Sequence, residues 1–101
     1  MKAPAKIETK EVVFDGLASD FLTKVQDDAA VWQDKVVNLK GKITAIDSKG
    51  ITLENQIYCQ FREDVNFSSL KINTQITLKG RVIGYDDLLE EIKLDQCIIA
   101  P

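Results

Sequence analysis

The chain has 101 residues, 45% hydrophobic and 29% charged, a balance that suits one small globular domain. Its net charge of −3 argues against a dedicated polyanion binder, since phosphate-tracking domains carry an excess of Lys and Arg. No apolar run approaches the roughly 20 residues that a membrane-spanning helix needs, and the stretch from Met1 to Lys10 has no apolar segment of the signal-peptide kind.

Residues 1–15 are polar at the start, contain Pro4 and show no period, so they are expected to form a flexible arm ahead of a single domain at residues 16–101. From Leu17 the period becomes helical. Leu17, Phe21, Val25 and Ala29 recur every four residues, Leu22 and Trp32 lie beside that stripe, and Ser19, Asp20, Lys24, Asp27 and Asp28 take the other side. The pattern predicts an amphipathic helix over residues 17–31, whose apolar stripe would cover one end of a small barrel.

Beyond Val36 the period drops to two. Val37, Leu39, Gly41 and Ile43 take one side and Asn38, Lys40, Lys42 and Thr44 the other, which predicts a first strand over residues 36–46. Asp47-Ser48-Lys49-Gly50 reads as a turn, with Gly50 free to take a positive φ. A second strand, residues 51–54, turns at Asn55-Gln56 into a third, residues 57–62, where Ile57, Cys59 and Phe61 face inward and Tyr58, Gln60 and Arg62 outward. In the patternless stretch that follows, Phe67, Leu70 and Ile72 are expected to tuck against the core. A fourth strand over residues 75–85 puts Ile76, Leu78, Gly80, Val82 and Gly84 inward, and a fifth spans residues 91–99. In the fifth strand Ile92 and Leu94 face inward, and either Cys97 or Ile98 continues that face; a bulge near Gln96 would make it Cys97. Five strands with inward glycines at 41, 80 and 84 predict an all-β fold with one helix, a five-stranded OB-fold barrel preceded by that helix. An SH3-like barrel also has five strands but gives the helix no purpose.

The segments around Asp34–Ile43, Ile57–Phe61, Leu70–Val82 and Ile92–Ile99 resemble the tRNA-anticodon-like OB-fold family of bacteria. The resemblance spans most of the chain and implies an OB barrel with a helix ahead of its first strand. It also implies a cell-envelope or periplasmic setting, because members are often lipoproteins or secreted domains of unestablished activity. The lipid-accepting cysteine of such lipoproteins is not among the first residues here. Cys59 and Cys97 match positions where that family has cysteine, on strands that neighbour each other in OB order, which implies a disulfide in an exported copy. The count of two cysteines leaves both a disulfide and a pair of free thiols open.

No residue set demands catalysis. The chain has no histidine, neither cysteine has an activating neighbour in sequence, and Ser68-Ser69 sits in no nucleophile motif. The acidic pairs Asp27-Asp28, Asp86-Asp87 and Glu90-Glu91 have no metal-loop spacing and read as solvated charge, so no metal and no cofactor is expected. A binding face has more support. OB barrels hold oligonucleotides or oligosaccharides on the exterior of strands two and three, which here displays Lys49, Thr52, Tyr58, Gln60 and Arg62. The expected function is therefore non-enzymatic binding through that surface, with an oligonucleotide, oligosaccharide or protein as partner. Charge is also segregated: from Lys35 to Arg81 eight basic residues face four acidic ones, while both flanks are acidic. Pairing strands one and four would gather Lys40, Lys42, Lys79 and Arg81 into a patch able to contact phosphates, the basis of the single-stranded nucleic-acid alternative. A protein-interaction domain is the other alternative.

Overall fold

A computed structural model describes residues 10–100. The elements are strand β1 (Val12–Leu17), helix α1 (Ala18–Asp27), a 3₁₀ helix (Ala29–Trp32), and strands β2 (Val36–Ile46), β3 (Gly50–Leu53), β4 (Ile57–Phe61), β5 (Gln75–Asp86) and β6 (Glu91–Ile99). The five predicted strands are β2 to β6, in register with the two-residue alternation that announced them. They follow the order β2-β3-β4-β6-β5, and β5 returns to pair with β2, which closes a mixed five-stranded barrel. The expected all-β barrel with a preceding helix is the architecture found.

Alternation decides what is inside. Val37, Leu39, Ile43, Ile51, Leu53, Ile57, Leu78, Val82, Ile92 and Leu94 point into the barrel and are completely buried, and no polar or charged residue joins them among the described residues. Burial of side chains of this size contributes roughly 1.5–3 kcal/mol each before chain entropy opposes it. The helix adds Ala18, Phe21 and Val25 to the same core.

Three details of these elements and their packing differ from the sequence expectation. Residues 12–17, expected as arm or helix start, form β1, which lies parallel to β2 with Phe14 opposite Val37 and Leu17 opposite Lys40. Its six residues alternate too briefly, with Asp15 and Gly16 among them, to show a period alone. Residues 1–9 of the expected arm lie outside the described residues. The helix stops at Asp27 instead of residue 31: Asp28 leaves the helical region (φ −155°, ψ 88°) and the chain tightens into the 3₁₀ helix. That turn brings Trp32 edge-on to Phe21 at 5.2 Å and to Phe14 at 6.2 Å, contacts worth about 0.5–1.5 kcal/mol per pair beyond simple burial. Ile72 is 52% exposed, whereas Val65, Phe67 and Leu70 do pack on the core, Phe67 with its ring 4.6 Å from Phe61.

Two turns show why the strands end where they do. Glu54 and Asn55 take φ of 51° and 64°, the two-residue hairpin geometry that matches strand twist, so this turn falls one residue earlier than Asn55-Gln56. Gly50 has no positive φ and is the first residue of β3; glycine is needed there because a Cβ would collide with the Cys59 carbonyl of β4. Of the two continuations of the β6 inner face, the bulged one is found: Gln96 sits at φ 51° where the β6 register shifts, and Cys97 is turned fully into the core. Gly80 lies beneath it, where a Cβ would come within 2.6 Å of Cys97 Sγ, while a Cβ on Gly84 would meet nothing, so Gly84 does not serve core packing as expected.

Gly50→Ala should therefore destabilise the protein by about 1–3 kcal/mol through backbone overpacking. Gly84→Ala should leave stability unchanged or raise it by about 0.4–1 kcal/mol by restricting the unfolded chain. Urea denaturation of the two variants beside the parent protein checks the contrast.

Candidate binding surface on β3 and β4

The loop from Ile46 to Gly50 is organised by one carboxylate. Asp47 Oδ1 accepts hydrogen bonds from the Lys49 and Gly50 amides, each at 2.8 Å, and from the Tyr58 hydroxyl at 3.1 Å. The Lys49 amide holds the Asp47 carboxyl below its ordinary pKa against the opposing effect of burial, with the Gly50 amide and the Tyr58 hydroxyl adding to the lowering. Tyr58 responds in the opposite sense: partial burial, then the bond to Asp47, pushes its phenol up to about 12. The loop is thus tied to the middle of β4 by a side chain whose two backbone bonds make it an Asx turn.

Across this loop runs the connection between β4 and β5. The Val65 amide bonds the Arg62 carbonyl at 3.0 Å, and Asn66 Oδ1 accepts the Ser68 amide at 3.0 Å and the Ser68 hydroxyl at 2.8 Å, a second local turn. Between loop and connection lies a cavity of about 270 Å³ whose lining includes Lys49, Gln60, Phe61, Arg62 and Phe67. A neighbouring cavity of about 310 Å³ shares Ser48, Val65 and Phe67 with it and extends past Ile46 and Leu70. Together they make a trough with an aromatic and aliphatic floor and a polar rim.

The sequence-predicted residues meet here. Lys49, Gln60 and Arg62 line the first cavity. Thr52 and Tyr58 are directly paired across β3 and β4 beside it, both partly exposed on the outer face. The rim is electrically mixed: Arg62 Nε donates to Asp64 Oδ1 at 2.5 Å, and Glu63 shares the cavity wall. Phe67 and Val65 belong to the same surface but lie in a stretch with no period; the apolar character of Phe67 marked it as a packing residue only, and Val65 went unmarked.

The predicted phosphate patch is assembled only in part. β2 and β5 pair as expected, Lys40 opposite Thr77 and Asn38 opposite Lys79, with Lys40 and Lys42 exposed. Arg81, however, makes a bidentate pair with Asp95, its register neighbour on β6, at 2.9 and 2.6 Å. The Asp95 hydrogen bond raises the Arg81 pKa further, and the charge offered to a phosphate is offset locally. The unforeseen β1 adds Asp15 beside Asn38 on the same sheet.

Cys59 and Cys97 stand as free, buried thiols in this structure, whereas the family resemblance implies a disulfide in an exported copy. Their register partners are Leu94 and Phe61, which makes them diagonal neighbours on parallel strands. A hydrogen bond with Cys59, together with burial, pushes the Cys97 thiol well up, and each sulfur lies within hydrogen-bond reach of the carbonyl two residues back. Protonated buried thiols are poor nucleophiles. A further cavity, about 400 Å³, lies on the β5–β6 hairpin beside Gly84, Tyr85, Asp86 and Lys93, away from the binding residues expected from the sequence. No group of three or more His, Cys, Asp or Glu is placed to hold a metal, and no helix is long and apolar enough to cross a membrane, among the described residues.

The class of protein these observations define is an OB-like all-β barrel with one additional strand. No family model matches the chain, and neither a curated protein nor a solved structure does.

Two measurements follow. The folded-state pKa of Tyr58 is raised, so its contribution to stability is intact below about pH 10, the unfolded value, and is lost as pH rises toward about 12. Tyr58→Phe should remove one tyrosinate transition near pH 12 from the ultraviolet titration and flatten the alkaline loss of stability. Against a thiol-specific reagent, the native protein should show no fast-reacting cysteine and the denatured protein two; a pair already oxidised would show none in either state.

Proposed function

We propose that this protein is a non-enzymatic binding module that takes its ligand on the exterior of β3 and β4 and in the adjoining trough. The observation that carries the reading is the convergence of Lys49, Gln60 and Arg62 on one cavity beside the Thr52–Tyr58 pair, on walls held by local hydrogen bonds. Apolar floor and polar rim are the usual composition of a ligand site. The rim carries charges of both signs, Lys49 and Arg62 against Asp47, Glu63 and Asp64, which favours a ligand without large net charge, such as an oligosaccharide. Contact would be made by hydrogen bonds from Gln60, Lys49 and Arg62 and by stacking on the Tyr58 ring, with no bond made or broken.

Single-stranded nucleic acid is the competing ligand. Lys40, Lys42 and Lys79 on the β2–β5 exterior favour it, and the Arg81–Asp95 pair and Asp15 oppose it. Membership of the tRNA-anticodon-like OB-fold family and an envelope location belong to the same proposal, supported by the sequence motifs and by the barrel's agreement with the architecture they imply.

An amide NMR titration with a panel of neutral oligosaccharides and with oligothymidylate separates the readings. Shifts confined to Lys49, Thr52, Tyr58, Gln60 and Arg62, and insensitive to salt, are expected with a saccharide. Shifts centred on Lys40, Lys42 and Lys79, with affinity falling steeply as salt rises, would transfer the function to nucleic acid.

A further inference from the structure

The most exposed large apolar side chains of the described residues are not in the trough. Leu88 is 95% and Leu89 65% exposed, at the tip of the β5–β6 hairpin. The tip is built, because Asp86 Oδ1 accepts the Leu88 amide at 2.9 Å and the Leu89 amide at 3.1 Å, and Glu90 closes the turn at φ 51°. Both leucines are therefore held out into solvent by a side-chain cap, flanked by the carboxylates of Asp86, Asp87, Glu90 and Glu91 with Lys93 alone opposing them.

Elsewhere the same chain presents the complementary chemistry. On the outer face of β1 and β2, Leu17 is 48% exposed and is the register partner of exposed Lys40, so an isobutyl group sits beside an ammonium group. Lys42 and Lys79 extend this face, where Asp15, and Glu54 at its end, are outnumbered. The tip cannot reach this face in its own molecule: from Thr77, opposite Lys40, to Asp86 the strand runs about 30 Å at roughly 3.3 Å per residue.

We propose that the protein associates with itself head to tail, the Leu88–Leu89 tip of one copy docking on the Leu17–Lys40–Lys42 face of the next. The leucines cover Leu17 and the carboxylates meet the lysines, so apolar contact supplies affinity and charge fixes the orientation. Tip and face are different surfaces, so the contact is heterologous and extends into open chains. A knob of two leucines lies at the small end of interface sizes, which makes the association weak and concentration-dependent.

Sedimentation equilibrium of the full chain at high protein concentration reads this directly. Mass above the monomer is expected at low salt, with an association constant at least about tenfold lower at high salt, where the Debye length shrinks to a few ångströms. Leu88→Ser/Leu89→Ser and Lys40→Glu/Lys42→Glu should each sediment as a monomer. Mixed in equal amounts they should form a dimer that stops there, because the first variant keeps only the face and the second only the tip. A monomeric parent protein, a variant that still associates, or a mixture that stays monomeric would each overturn the proposal.

Discussion

Closure of the sheet through the pairing of β2 with β5 is the constraint on which the rest of this structure depends. Val36 to Lys42 lie against Gln75 to Arg81, and the far end of β2 is then free to pair with β3. An 11-residue strand can serve β1, β3 and β5 because it curves around the barrel and changes partner along its length. Without this seam, β2 and β5 would present unpaired backbone and the inner faces of all five strands would be wet. The seam also fixes where bulk is allowed. Gly41 and Gly80, on the two closing strands, leave the space that Ala18 of the helix and Cys97 of β6 occupy.

How much of this was legible in the sequence follows from how each contact is encoded. A strand buried on one face writes its burial into alternate residues, so β2 to β6 could be read almost to the residue, and with them the outward placement of Thr52, Tyr58 and Gln60. The bulge at Gln96 was legible only as one of two options, since strict alternation puts Ile98 inside and only a slip brings Cys97 there. β1 was not, because six residues with a glycine carry too little pattern, and its partner is a strand about twenty residues further along. The helix end was misplaced because the every-four spacing reaches Ala29, while the packing of Trp32 against Phe14 and Phe21 depends on β1 being present. Gly50 had a visible turn signal, but its true reason is the Cys59 carbonyl across the sheet, which no local pattern contains.

Charge shows the same limit more sharply. Counting Lys and Arg between Lys35 and Arg81 gives a basic strip, yet the strip is judged by what lies beside it in space. Asp95 is 14 positions from Arg81 in sequence and meets it with both carboxylate oxygens. Partly exposed pairs of this kind add little to stability, and their larger consequence here is to cancel a charge that a phosphate would need. Asp15 reaches the same sheet only through β1. The acidic residues at the hairpin tip, by contrast, find only Lys93 beside them, so the segregation seen in sequence survives whole there and only in part on the predicted patch.

The trough differs from both charged regions in that its walls are held by hydrogen bonds within the protein itself. Asp47 spends its carboxylate on two amides and a phenol, and Asn66 holds Ser68 in the same way. A loop fixed by such bonds loses little further freedom when something binds against it, which favours affinity from modest contacts. The arrangement also assigns Tyr58 a narrower role than its aromatic ring suggests. With its hydroxyl bound to Asp47, the ring is a fixed wall that offers a face for stacking and cannot swing to follow a flexible strand of bases. If the trough is the binding site proposed above, a rigid wall, a neutral amide at Gln60 and a rim of mixed charge would favour a ligand of defined shape over a long flexible polyanion, which would gain least from all three.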